Sequence, residues 1–132
     1  MPIIENTISP RSTAFLANQE SMLAGLEQAQ TYERRAVAKS ATSRERFAKR
    51  GQLLPRERLS LLLDPGAPFL ELCRLAGLGH DTASLADSVP GCGIIAGIGY
   101  VSGVRCMVIV SDSGIDAGAL QPMGLDKILR VQ

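Results

Sequence analysis

The sequence predicts a mixed α/β (α+β) fold in which a helical region is followed by the start of a sheet. Apolar residues recur at helical spacing over much of the first sixty positions, whereas glycine and β-branched residues dominate from about residue 91. A length of 132 residues suits one domain or part of one, and 45% hydrophobic residues can form a packed core. We therefore divide the chain into a helical region with one short strand (1–90) and a sheet region (91–132).

The first helix is predicted to begin at Ser12 or Thr13, because either residue can act as its N-cap. Apolar side chains then recur at three-, four- and seven-residue steps along one side of the helix: Phe15, Leu16, Met22, Leu23, Leu26 and Ala29. Small and polar residues over 36–43 separate this helix from a second, short one, SRERFAKR, which ends at Gly51.

A third helix is predicted from Pro55, because a proline at the first helical position gives up no helical hydrogen bond. The sequence Asp64-Pro65-Gly66 ends this helix, and its expected buried residues are Leu59, Leu62 and Leu63. Residues 69–72 then suit a short strand, and residues 77–87 suit a polar loop.

The clearest local pattern is the β-hairpin GIIAGIGYVSGVRCMVIVSD, whose turn we place at Ser102-Gly103. A two-residue turn pairs Val101 with Val104 and Gly97 with Val108. Glycines at alternate positions leave one face of the first strand nearly without side chains, so another layer should pack closely on it. The opposite face is also apolar, which predicts a sheet that is covered on both sides.

A glycine-spaced loop, SDSGIDAGALQP, follows the hairpin, and a last helix is expected from about Gly124. That helix has reached Gln132 without a glycine cap or a polar tail. This favours a fragment of a longer protein over a helix that frays at a natural terminus.

Composition argues against several functional classes. A formal charge of +1 and 4% aromatic residues without Trp disfavour nucleic-acid binding. Three cysteines without a CxxC pair and a single histidine suit neither a disulfide framework nor a zinc site, so no metal site is expected. No signal-peptide pattern and no membrane-length apolar stretch occur, so we expect a cytoplasmic protein without a membrane span.

The run RGQLLPRERLSLLLDPGAPFLEL, followed by VPGCGIIAGIGYVSGVRCMVIVSD, resembles the N-terminal part of the carboxyltransferase (beta) subunits of biotin-dependent acyl-CoA carboxylases. The resemblance covers about residues 45–132, where the PRER helix, the DPG stop, the glycine-rich strand and the Asp112 loop occur in the family's order. The PFLEL segment after DPG is more similar to the methylcrotonyl-CoA and geranyl-CoA carboxylase branch than to the propionyl-CoA or acetyl-CoA branch.

This resemblance implies a crotonase-type (ClpP/crotonase) fold, of which only the N-terminal helices and the first β-hairpin are present. It also implies that acyl-CoA binds here, that a biotin carboxylase/biotin carrier (alpha) subunit brings carboxybiotin, and that beta subunits form a homo-oligomer. The family's glycine motifs that stabilise the enolate oxygen are expected downstream of these residues. We therefore assign no catalytic residue, and we expect this segment alone to be inactive.

Two groups of residues are candidates for CoA binding. Arg56 and Arg58 lie at the end of the segment 34–58, in which nine Arg or Lys oppose two Glu, a local charge of +7. Arginine forks suit the CoA phosphates, although these side chains could instead be solvated or paired with acids. In the loop, Ala117, Gly118 and Ala119 lie before a helix N-terminus, where backbone N–H groups can receive a thioester or phosphate; a tight structural turn is the alternative.

The loop departs from the family pattern at several positions, and two of these exchanges bear on its charge and backbone. Methylcrotonyl-type enzymes commonly show A-T-V-K-G-G-A, where this chain has the residues from Ser113 to Ala119. The lysine is replaced by Asp116 and the first glycine of the pair by Ala117. The first exchange reverses a charge close to the expected acyl-CoA region, which could mark a divergent branch.

Two other functions remain open from the sequence. A crotonase-type acyl-CoA hydratase or decarboxylase would share the acyl-CoA site and would need no biotin, although the PRER and DPG segments resemble the carboxylase group. A non-catalytic interaction module would use the basic helices to bind an acidic protein. Binding of CoA by the complete protein separates the enzymes from the module.

Overall fold

The computed structural model describes residues 6–132 and confirms the mixed α+β class. Four α-helices occur in the described part: α1 (Thr13–Ala41), α2 (Arg44–Ala48), α3 (Pro55–Leu62) and α4 (Pro122–Val131). Three strands form one sheet: β1 (Leu70–Leu72), β2 (Ile94–Val101) and β3 (Val104–Ser111). The chain divides into two compact units, one up to Thr31 and the other Tyr32–Gln132. Within residues 6–132 no helix has the length and apolarity needed to cross a membrane.

The first unit consists of the beginning of α1 and the residues before it. The Ser12 hydroxyl accepts a hydrogen bond from the Phe15 amide at 3.2 Å, so Ser12 is the N-cap that the sequence predicts. Several apolar side chains of the predicted stripe are about half exposed or more within this unit, among them Leu16, Met22, Leu23 and Leu26. The helix is therefore formed as predicted, but its apolar side is open.

In the second unit, α1 continues through the small residues that we expected to interrupt it. Ala36 and Ser40 are its buried positions. Small side chains let a helix approach its neighbours closely, so this segment is a packing surface and not a break.

Helix α3 begins at Pro55, as predicted, and Glu57 accepts a hydrogen bond from the Leu54 amide at 2.9 Å. Of its expected buried leucines, Leu59 is buried and Leu63 packs against the core. The prediction for Leu62 is wrong, because this side chain is 49% exposed. The helix ends at Leu62, and it is Leu63, with an extended backbone, that packs against the core after Leu59.

The hairpin has the predicted register, with Val101 opposite Val104 and Gly97 opposite Val108. Ser102 and Gly103 both have positive φ angles, of 51° and 76°, as a type I′ turn requires. The carboxylate of Asp64 accepts hydrogen bonds from both turn amides, at 2.6 and 2.7 Å. Asp64, two residues after the end of α3, therefore fixes the hairpin turn.

The glycine face of β2 lies under another layer, as predicted. A Cβ on Gly97 would lie 2.5 Å from the Leu70 carbonyl oxygen and 2.5 Å from Phe69 Cζ, and one on Gly99 would lie 2.6 Å from Leu63 Cδ2. The core on this face consists of Leu59, Ile95 and Val108, with Leu63, Phe69, Cys106 and Val110 packed against them.

The expectation of cover on both faces is wrong for β3. On its opposite face Met107 is 42% exposed and Ile109 is 37% exposed. Helix α4 covers this face only at the start of β2, where Gly124 approaches Ile94. The apolar pattern of β3 identifies a strand but does not say whether a second layer reaches it.

Candidate functional site

The loop between β3 and α4, residues 112–121, is the centre of the candidate site. It starts at Asp112, a carboxylate that is only 2% exposed. Asp112 accepts hydrogen bonds from the Ser40 hydroxyl at 2.6 Å and from the Gly114 amide at 3.2 Å. Its own amide donates to the Gly93 carbonyl at 2.8 Å. A buried carboxylate needs such partners, and here they tie the loop to α1 and to the start of β2.

The tip of this loop has an unusual backbone conformation. Three consecutive residues, Asp116, Ala117 and Gly118, have positive φ angles of 48°, 54° and 82°. Glycine tolerates this region freely, aspartate tolerates it partly, and alanine is strained in it. The glycine that the family pattern carries at position 117 therefore has a physical reason, and Ala117 adopts the same conformation at a cost.

Two of the predicted loop residues use their backbone N–H groups for hydrogen bonds within the loop itself. The Gly118 amide donates to the Ile115 carbonyl and the Ala119 amide to the Asp116 carbonyl, each at 3.0 Å. These two amides are therefore engaged in the turn. A ligand at this loop would meet the exposed surface of Ala117 and Ala119.

A cleft of about 610 Å³ opens beside this tip, and Asp116 and Ala119 line it. Across it lie Lys39 and the loop that contains His80 and Asp81. Burial works to raise the pKa of Asp81, but hydrogen bonds from Ser88 and the Val89 amide leave that pKa below its ordinary value. Asp81 is therefore an anion that stabilises its own loop. No cluster of three metal-ligating side chains occurs among residues 6–132.

Arg56 and Arg58 lie on different sides of α3 and do not meet the loop tip. Arg56 donates two hydrogen bonds to Glu71, at 2.9 and 2.8 Å, and lines a small cavity with Asp112. Arg58 is exposed and lines a separate cavity of about 500 Å³ together with Ser113. Each arginine therefore approaches the base of the loop.

The Arg56–Glu71 pair is part of a half-buried charge network. The hydrogen bond with Glu71 raises the pKa of Arg56 above its ordinary value, against the opposing effect of burial, and Asp112 adds to it. Burial alone would raise the pKa of Glu71, but Arg56 and Arg74 keep that pKa below its ordinary value. Arg74 also pairs with Glu33 of α1 at 2.9 Å. Both members of the central pair are therefore charged at neutral pH.

Sequence reasoning missed Lys127, a lysine of α4 that is only 4% exposed. Its Nζ donates to the Ile94 carbonyl at 2.6 Å and to the Gly91 carbonyl at 3.3 Å. Burial lowers the pKa of this ammonium group from its ordinary value, while Glu71 opposes the shift. The available signal was its spacing, because Lys127 lies one turn after the buried Gly124 on the same helix face.

Known proteins resemble this chain in both sequence and fold. The carboxyl transferase domain profile matches residues 46–132. The beta subunit of geranyl-CoA carboxylase from P. aeruginosa is 48% identical, with a TM-score of 0.87, and the match covers 98% of this chain and 24% of that one. The biotin-dependent 3-methylcrotonyl-coenzyme A carboxylase beta1 subunit of Mycobacterium tuberculosis is 46% identical over 97 residues, 74% of this chain and 18% of that protein.

A more distant structure has the same fold. Transcarboxylase 12S, described as a hexamer assembly, is 26% identical with a TM-score of 0.56 over 87% of this chain and 22% of its own. The chain spans about a fifth of the length of the curated relatives it matches.

Proposed function

The chain belongs to the carboxyl transferase domain family, and from this premise we propose that it forms the N-terminal, acyl-CoA-binding part of an acyl-CoA carboxylase beta subunit. The reaction is the transfer of a carboxyl group from carboxybiotin to a branched, unsaturated acyl-CoA. The similarity to methylcrotonyl-CoA and geranyl-CoA carboxylase beta subunits supports this substrate class. Unpaired thiols at all three cysteines suit a reducing, cytoplasmic compartment.

The observation that carries the proposal is the backbone of the loop tip. The family pattern has two glycines where this chain has Ala117 and Gly118, and both residues adopt positive φ angles. Two adjacent glycines in the family pattern favour positive φ angles at these positions. This chain keeps positive φ angles there although alanine replaces the first glycine, so its loop has the backbone shape that the pattern favours. We propose that Ala117, Gly118 and Ala119 contact the acyl-CoA, with Arg56 and Arg58 contributing positive charge at the base of the loop.

These residues bind and orient the substrate, and we assign no proton transfer or bond-making step to any of them. Carboxybiotin supplies the carboxyl group when the partner alpha subunit brings it. The two larger cavities described above are lined mostly by uncharged residues, with Asp81 and Asp116 in one and Arg58 in the other. Nothing in these linings singles out a residue for biotin, so no biotin contact is assigned to them.

The basic segment offers little support for the alternative of a free interaction module. Several of its arginines already have partners: Arg35 donates to the Leu85 carbonyl, Arg44 pairs with Glu57, and Arg56 pairs with Glu71. These contacts hold three of the segment's arginines against the chain itself, so these side chains are less available to an acidic partner.

The test is a graft into the geranyl-CoA carboxylase beta subunit of P. aeruginosa, whose matching segment is replaced by this chain. The assembled enzyme should fix bicarbonate into a branched, unsaturated acyl-CoA, and avidin should abolish the activity. The matching segment of the M. tuberculosis relative is the control graft. A chimera that folds and assembles like the control but neither binds acyl-CoA nor fixes bicarbonate would contradict the proposal.

A further inference from the structure

Three side chains at the corner between α1 and α2 contact consecutive residues at the base of the loop. Ser40 donates to the Asp112 carboxylate at 2.6 Å, and Ser43 donates to the Gly114 carbonyl at 2.8 Å. Arg46 donates to the Ser113 carbonyl at 3.0 Å. We call Ser40, Ser43 and Arg46 the helix-corner clamp.

The loop is shaped to receive this clamp. Gly114 is buried, and a Cβ at that position would collide with Ser40 Oγ and lie 2.9 Å from the Ser40 carbonyl oxygen. Only glycine therefore allows the loop to approach α1 closely enough for the Ser40–Asp112 hydrogen bond. Ser40 is 3% exposed and Asp112 2% exposed, so water cannot replace either partner without an opening of the loop.

The clamp lies immediately before the strained tip. The Asp112 carbonyl accepts the Ile115 amide at 2.8 Å, and the Ile115 carbonyl accepts the Gly118 amide at 3.0 Å. A continuous series of hydrogen bonds therefore leads from Ser40 to the left-handed residues Asp116, Ala117 and Gly118. Strained backbone persists where surrounding contacts determine it, and here those contacts come from the helix corner.

We propose that Ser40 and Asp112 are positioning residues that hold the loop 113–119 in its substrate-binding conformation. The substrate in this proposal, acyl-CoA, rests on the proposed function, but the effect of the two residues on the loop can be measured without any substrate. Loss of the Ser40 hydroxyl leaves a buried carboxylate short of its donor. The loop then opens locally while the sheet stays closed.

The experiment measures hydrogen exchange in the full chain. In Ser40→Ala, the amides of Gly114, Ile115 and Gly118 should exchange about tenfold faster or more, while those of Ile95 and Val108 in the sheet keep their rates. Thr42→Ala is the matched control, because the Thr42 hydroxyl is exposed and bonds only the nearby Lys39 carbonyl, at 2.7 Å. Equal acceleration of loop and sheet amides, or no acceleration in the loop, would overturn the proposal.

Gly114→Ala provides a second variant that leaves α1 untouched. It should show the same loop-confined acceleration, and its effect should be less than additive with that of Ser40→Ala, because both disrupt one contact. If both variants lose their cooperative melt, the contact determines the fold and the positioning role is refuted.

Kinetics of the grafted carboxylase separate the role of the clamp from the substrate contact of the loop. Ser40→Ala should raise KM for acyl-CoA severalfold with kcat nearly unchanged, whereas a purely structural defect lowers kcat alone by reducing the folded enzyme. A loop-confined exchange effect with an unchanged KM would support the clamp and contradict the loop contact in the proposed function.

Discussion

Replacement of Ala117 by glycine should stabilise the protein, although most substitutions destabilise. Ala117 has φ 54° and ψ 20°, a left-handed conformation that costs a residue with a Cβ about 1–2 kcal/mol. Glycine removes this cost, but its greater freedom in the unfolded chain lowers the free energy of unfolding by about 0.4–1 kcal/mol. The middle values of the two ranges leave a net gain in the free energy of unfolding of about 0.8 kcal/mol.

The assay is urea denaturation of the 132-residue chain, followed by circular dichroism. A gain of this size moves the midpoint upward by about 0.2–1 M at ordinary m-values. Ala119→Gly is the matched control, because Ala119 is also exposed but has φ −60° and ψ 131°. It should lose about 0.4–1 kcal/mol. Shifts of the same sign in the two variants would refute the assignment of strain to Ala117.

Other consequences concern the core and the charges. Gly97→Val should lower the free energy of unfolding, measured by thermal melting, by about 1–3 kcal/mol or more, because the new Cβ collides with Phe69 and the Leu70 carbonyl. The control Gly25→Ala has open space around the new Cβ and should not destabilise the protein. In the grafted carboxylase, Arg58→Ala should raise KM for every acyl-CoA by a similar factor and leave kcat nearly intact; a KM change confined to one acyl chain would contradict phosphate binding. The pKa of Glu71 is lowered when folded, so its stabilisation is complete above its unfolded value near 4.5 and is lost as the pH falls below that value. Glu71→Gln should therefore flatten the acid side of a stability-against-pH curve, and an unchanged acid side would contradict the pairing.

The local structure of this chain was largely predictable because its signals are local. Pro55, the DPG stop and the Ser102-Gly103 turn each restrict φ within a few residues, and all three end or begin elements as predicted. The two-residue turn predicted the register of the hairpin, and the period-2 glycines predicted the face on which another layer packs, where Phe69 lies. Such patterns depend on no distant contact.

Contacts between distant segments were not predictable in the same way. The Arg56–Glu71 pair joins residues 15 positions apart, and the Ser40–Asp112 bond joins residues 72 apart. Nothing in the local pattern distinguishes Arg56, which pairs with a carboxylate, from Arg58, which faces solvent. Lys127 was missed for a related reason, since lysine is rarely buried and its carbonyl partners are backbone groups that leave no mark in a sequence.

The most direct test of the proposed acyl-CoA contact is photo-crosslinking of the grafted beta subunit with a benzophenone-labelled CoA, mapped by peptide mass spectrometry. The label should attach within residues 112–121, and excess unlabelled acyl-CoA should displace it. Attachment confined to other parts of the subunit, with residues 112–121 unlabelled in an enzyme that binds the probe, would contradict the proposed contact.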